Sequence, residues 1–188
     1  MPLLPQEPDM FPEDLLETVA EDAPWWAIYT RSRQEKTLMR RLREDGIPHY
    51  GPVIPRRYRS PAGRLRTSFM PLFPNYVFLQ GDNEARYTAV CTGCVSRCVA
   101  VDDPAELVTD LRQIHSLIQT DHPLAPESRI EPGDMVRIKN GQFAGFEGVV
   151  ARREHEIRLV VYVRFMNQGV SVALDDCQFE VVEKKVEG

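Results

Sequence analysis

Cys91, Cys94 and Cys98 stand close together in the sequence, with Cys177 far downstream. Thiolates in such company are the ligands a zinc ion takes, but a tetrahedral site of this kind wants a second short pair, and the sequence offers only Cys177. Free cysteine is commonly buried as a small apolar filler, so no metal and no cofactor is expected. His49, His115, His122 and His155 are scattered, no Ser or Cys lies in a nucleophile motif, and there is no glycine loop for a phosphate. A zinc-dependent or redox enzyme built on the cysteines is therefore the weakest reading. No catalytic residue is assigned, and the chemistry left to consider is recognition.

The cations suggest what is recognised. The chain of 188 residues has a formal net charge of -5, but its charges are segregated. Residues 1–24 hold seven acids and no Lys or Arg, whereas residues 25–75 hold eleven basic residues against three acids. Electrostatic attraction acts locally, over roughly 8 Å at physiological salt, so the basic segment outweighs the global charge. Arg31, Arg33, Lys36, Arg40 and Arg43, with the arginines between Arg56 and Arg66, are candidates for nucleic-acid phosphates, a contact that weakens as salt rises. The ordinary fate of such residues is a solvated face.

Several elements must position these groups. Trp25 to Tyr29 reads as a strand, and Ser32-Arg33-Gln34-Glu35 fits a capping box opening a helix from about Arg33 to Asp45 with Gly46 as its stop. Val53-Ile54 and Tyr58-Arg59 can pair with Arg66 to Phe69 across a hairpin whose tip is Ser60-Pro61-Ala62-Gly63. Pro71 and Pro74 bracket Leu72 and Phe73, which predicts a bulged entry into a strand of Tyr76 to Leu79. On that strand Tyr76 and Phe78 point one way, Val77 and Leu79 the other. Helices are predicted from about Asn83 to Val90 and from Pro104 onward, with a strand from Val95 to Val101 between them and a stripe of Leu107, Leu111, Ile114 and either Leu117 or Ile118 on the second helix.

The first 24 residues, rich in proline and acids, read as a disordered tail that could shield the basic face, with Leu15 to Val19 able to form a helical turn. Residues 120–129 have linker composition. Beyond them the period changes to two, giving five short strands that can curl into a small barrel. The expected organisation is an acidic tail at 1–24, an α+β domain at 25–119 with an antiparallel sheet and flanking helices, a linker at 120–129, and a small all-β barrel at 130–185. No apolar run approaches the roughly 20 residues a membrane helix needs, and the N-terminus lacks a basic flank followed by an apolar stretch. A cytoplasmic monomer is expected.

Three stretches resemble one family. Trp25-Trp26-Ala27-Ile28-Tyr29, then Pro71-Leu72-Phe73-Pro74-Asn75-Tyr76-Val77-Phe78, then Pro132-Gly133-Asp134 through Gly145-Phe146-Glu147-Gly148-Val149-Val150 are similar to the signatures of the NusG family of transcription elongation and antitermination factors. Their order and spacing are also the family's. The resemblance implies an N-terminal NusG-type domain followed by an SH3-like KOW barrel, and the middle motif also resembles the specialised RfaH-type branch.

The resemblance further implies a protein that binds RNA polymerase, holds its clamp closed near the non-template DNA strand, and recruits a second partner, Rho or ribosomal protein S10, through the barrel. Tyr29, Phe73, Tyr76 and Phe78 are the candidates for polymerase docking, some of them forming an exposed apolar patch with polar tips; packing in a core is the alternative for each, and the resemblance matches Tyr76 and Phe78 to residues that dock on the polymerase clamp helices. Arg31 and Gln34 match positions at which the specialised branch touches DNA, and Arg33, Lys36, Arg40 and Arg43 join them as the nucleic-acid surface. Phe165-Met166-Asn167, a predicted hairpin tip, matches the loop offered to Rho or S10. Thr92-Gly93-Cys94-Val95 departs from the family's Thr-Arg-Gly-Val and lacks its arginine. The barrel can refold as a helical hairpin in the RfaH-type branch, but the β-branched alternation at Ile157 to Phe165 favours strands here. A ribosome-associated RNA-binding KOW protein is the alternative function.

Overall fold

The computed structural model describes residues 6–20, 22–129, 133–153, 155–175 and 177–183. Pro132 of the third signature, both ends of the expected barrel and the first residues of the tail lie outside the described residues. The chain divides into two compact units, 1–105 and 106–188.

The first unit contains strand β1 (Met10–Phe11), helix α1 (Leu15–Thr18), β2 (Trp25–Thr30), α2 (Glu35–Glu44), β3 (His49–Tyr50), β4 (Val53–Arg59), β5 (Leu65–Pro71), β6 (Tyr76–Gln80), α3 (Asn83–Cys91) and β7 (Val95–Ala100). Five strands form one sheet in the order β1-β3-β6-β2-β7, with antiparallel neighbours. On one face Ile28, Val77 and Leu79 pack with Leu38, Met39 and Leu42 of α2 and Ala89 of α3, as the alternation along β2 and β6 requires. This is the expected α+β architecture.

Three local expectations are corrected. The tail is not disordered over its described residues: β1 pairs with β3, and Met10, Leu15 and Leu16 are buried. Scattered among prolines and acids, these apolar residues carry no period, yet they suffice to cover a sheet edge. The capping box does not form. Helix α2 starts at Glu35 behind Gln34, with no side-chain cap, because the Glu35 carboxylate instead accepts the Asn75 N–H at 2.7 Å. Finally, the paired prolines mark a true break rather than a bulge. β5 ends at Pro71, and Asn75, at φ 66°, turns the chain into β6.

The second unit takes in most of α4 (Pro104–Gln119), then β8 (Leu124–Glu127), β9 (Met135–Ile138), β10 (Glu147–Arg153), β11 (Glu156–Val163), β12 (Gln168–Leu174) and β13 (Phe179–Glu183). The six strands form one antiparallel sheet in the order β13-β9-β10-β11-β12-β8, so the alternating stretch is indeed strand. The expected linker is corrected in its middle, where β8 pairs with β12; Pro126 is tolerated because β8 lies at an edge. The boundary before residue 120 also moves, since α4 is tied to the sheet. Asp110 accepts from the Arg164 guanidinium at 2.8 Å and from the Arg164 N–H at 2.9 Å, and Gln113 Oε1 accepts the Glu147 N–H at 2.8 Å.

Candidate functional site

Across β6, β2 and β7 the register sets Tyr76, Tyr29 and Arg97 in one row. The two tyrosine rings lie 4.3 Å apart between centroids, and the Arg97 guanidinium sits 4.2 Å from the centre of the Tyr29 ring. Both tyrosines are half-buried. Burial, and then a hydrogen bond with Tyr29, hold the Tyr76 phenol well above its ordinary range, and the Arg97 cation is stacked beside the pair. This is an amphipathic surface with a fixed geometry, of the composition that dominates binding energy at protein interfaces.

Phe73 and Phe78, both docking candidates from the sequence, are not part of that exposed surface, which corrects their assignment. Phe73 is 1% exposed and Phe78 0%, and their rings meet edge to face at 6.1 Å. The turn after Pro71 folds Phe73 inward onto Phe78. Alternation along β6 identifies the face on which Phe78 lies but not whether that face is covered, which is why sequence reasoning grouped the four. Arg97 was missed for a different reason: only register, invisible in one sequence, sets it beside Tyr29.

The expected nucleic-acid residues divide into two groups. Arg31 and Arg33 are exposed at the entry to α2, where Arg33 takes φ 61°. Gln34 is half-buried, with the Cys94 thiol 3.6 Å from its Oε1. Lys36 donates to the Phe69 carbonyl at 2.8 Å and so supports the β4–β5 hairpin. Arg40 and Arg43 are occupied by the acidic segment: Arg40 forms a two-pronged pair with Glu7 at 2.6 and 2.7 Å, and Arg43 donates to the Pro8 carbonyl at 2.6 Å. The Arg40 hydrogen bond holds the Glu7 carboxyl below its usual range.

The cysteines have separate surroundings. Cys91 is exposed, Cys94 is buried, and burial pushes the half-buried Cys98 thiol up, away from the thiolate a metal needs. Among the described residues no group of three or more His, Cys, Asp or Glu side chains could hold a metal ion. In the second unit, Phe165, Met166 and Asn167 lie in the turn between β11 and β12, with Asn167 at φ 51°. The predicted tip is therefore placed where the alternation put it, directly after the Arg164 that Asp110 anchors.

An α+β unit with an amphipathic tyrosine pair on its sheet, followed by a small antiparallel β unit, defines a two-part recognition protein. Residues 23–124 match the family profile described as transcription termination factor nusG, and residues 132–163 match the KOW motif. The chain is 31% identical over 176 residues to the transcription termination/antitermination protein NusG of Pseudomonas aeruginosa, covering 84% of this chain and 98% of that protein. The protein of the same name from Escherichia coli K12 is 32% identical over 131 residues, 63% of this chain and 69% of the relative. A crystal structure of the MjSpt4:Spt5 complex aligns at 17% identity over 87% of this chain and 99% of that one, with a TM-score of 0.26. The chain belongs to the NusG family of transcription termination and antitermination factors. Its matched relatives are named as transcription termination/antitermination proteins, and among the described residues no helix is long and apolar enough to cross a membrane.

Proposed function

We propose that this factor binds RNA polymerase through the Tyr29–Tyr76 end of its first unit, holds the clamp closed beside the non-template DNA strand, and recruits Rho or ribosomal protein S10 through the turn at Phe165, Met166 and Asn167. The observation that carries the reading is the row of Tyr76, Tyr29 and Arg97. Aromatic groups with polar tips remain reachable there, on strands whose Ala27, Ile28, Val77 and Phe78 are fully buried. Phe73 and Phe78 serve this site from behind, by fixing the turn and strand that carry Tyr76.

Binding the closed clamp better than the open one shifts the polymerase toward elongation without any bond chemistry. Arg31, Arg33, Gln34 and Lys36 form the accessible edge toward the non-template strand, and Arg40 and Arg43 join it when Glu7 and Pro8 release them. Gln34 could read a base edge; selection among single-strand sequences that is lost in Gln34→Ala supports this, and indifference of the parent protein ends it. The docking test is co-purification of the full chain with its own core polymerase, comparing the parent with Tyr29→Ala and Tyr76→Ala. Both variants are expected to lose the complex while staying folded. Retention of the complex by both would remove this face from docking.

A further inference from the structure

Between Asp45 and Asp82 the chain has no acidic residue, and the five arginines of that span, Arg56, Arg57, Arg59, Arg64 and Arg66, all lie on β4, on β5 or in the turn joining them. These two strands pair only with each other, forming a ribbon outside the main sheet. The register opposes Arg57 to Thr67 and Arg59 to Leu65, then Arg56 to Ser68 and Tyr58 to Arg66. Directly opposed residues of an antiparallel pair share a face and alternate residues change face. Arg57 and Arg59 therefore lie on one face, Arg56 and Arg66 on the other, and Arg64 at the tip.

All five are exposed, and none enters an ion pair among the described residues. The contrast with Arg40, neutralised by Glu7, is direct: the ribbon concentrates five arginines with no carboxylate partner among the described residues. Near its tip Tyr58 is 44% and Leu65 67% exposed, on opposite faces. An isolated two-stranded ribbon is marginally stable in water, and neighbouring like charges weaken it further. Its composition serves a partner rather than its own folding.

The distribution of charge selects that partner. A protein surface meets one face of a ribbon, whereas a groove with phosphates on both walls meets both. The major groove of B-form DNA, about 12 Å wide, admits a two-stranded β-ribbon, while the major groove of A-form RNA is too deep and narrow for side chains to read. We propose that the β4–β5 ribbon is a duplex-DNA-binding element that enters the major groove tip first, with Arg57 and Arg59 toward one phosphate wall and Arg56 and Arg66 toward the other. It is distinct from the single-strand surface at Arg31 and Gln34. Because it is addressed to bare duplex, its failure and the failure of polymerase docking are separate results.

The test is fluorescence anisotropy of a labelled DNA duplex titrated with the full chain over a salt series, comparing the parent with the combined variant R57Q/R59Q/R64Q/R66Q. Each lost phosphate contact removes about 0.9 from the slope of log affinity against log salt, so the variant's slope should be shallower by about 3 to 4, with affinity at low salt down by roughly tenfold or more. Its melting temperature should stay near the parent's, because the four side chains are exposed. The proposal is overturned if the parent does not bind duplex at low salt, or if the combined variant binds like the parent. Equal, equally arginine-dependent binding to an RNA duplex or a single strand would overturn the groove assignment. Loss of polymerase co-purification in the combined variant with duplex affinity intact would give the ribbon to a protein partner and overturn it as well.

Discussion

His49 sits on β3 with no exposed surface, its Nδ1 2.8 Å from the Ile47 carbonyl and its Nε2 without a partner among the described residues. The neutral ring donates from Nδ1. A second proton would place a charge in an apolar site, so burial depresses its pKa to about 4, against the Ile47 carbonyl, which favours the charged form. A folded-state value below the unfolded one means that the unfolded chain binds more protons in that interval. The stabilising contribution is therefore fully present above about pH 6.5 and is lost as pH falls from there through 4, by roughly 3 kcal/mol in all. Denaturant melts of the parent across that window should show this loss, and His49→Gln, which keeps a donor near the Ile47 carbonyl, should flatten it. An equally steep profile in the variant would assign the acid sensitivity elsewhere. Tyr76 differs in kind, because its ring is half-exposed and its hydroxyl pairs with Tyr29. Tyr76→Ala should cost about 1 kcal/mol of ring pairing, a drop of a few degrees in melting temperature, yet abolish polymerase co-purification. Tyr76→Phe should keep most of the binding. A collapse in stability with Tyr76→Ala would make this ring a structural one.

Among the elements, the β10–β11 pair depends on a single small residue. A Cβ added to Gly148 would stand 2.3 Å from the Val160 carbonyl oxygen of the neighbouring strand, and backbone cannot yield as a side-chain tip can. Gly148→Ala should therefore break the pairing of β10 with β11 and melt the second unit while leaving the first folded, giving one transition lost out of two in calorimetry. Parent-like melting would show that the strands can part at little cost. Gly148 was legible in the sequence as part of the third family signature, but its close approach to Val160 was not, since that depends on register. The β4–β5 hairpin was legible down to its tip because Pro and Gly mark turns directly, and α4 because its stripe repeats at the helical period. What escaped were features set by tertiary partners. Glue from Met10, Leu15 and Leu16 orders a segment whose composition argues for disorder. β8 forms within linker-like residues because β12 offers an edge, and Glu35 leaves its cap because Asn75 competes for it. At the candidate site, chain pattern found both tyrosines and the cations of α2, whereas the burial of Phe73 and Phe78 and the stacking of Arg97 needed the fold.

At the scale of the whole molecule, charge is partitioned so that the acids of the first segment meet cations of the second. Glu7 grips Arg40 and the Pro8 carbonyl takes Arg43, while β1 and the buried Met10 fix that segment on the sheet edge. The pair itself contributes little to stability: both partners are largely exposed, and surface ion pairs of this kind are worth about 0–1 kcal/mol. Its consequence is electrostatic, because a carboxylate at 2.6 Å cancels the charge that Arg40 would offer a phosphate. Glu7→Gln should therefore leave the melting temperature within about a degree but raise affinity for a single-stranded polyanion roughly two- to threefold at low salt, since one more cation becomes available for counterion release. The gain should fade as salt rises, and it should be absent when Arg40→Gln is added to Glu7→Gln. A salt-insensitive gain, or the same gain without Arg40, would mean that the substitution acts by loosening the N-terminal segment rather than by uncovering charge. With the expected result, the acidic segment is a competitor for the α2 cations that any nucleic acid must displace, and the uncommitted arginines of the ribbon become the first to engage it.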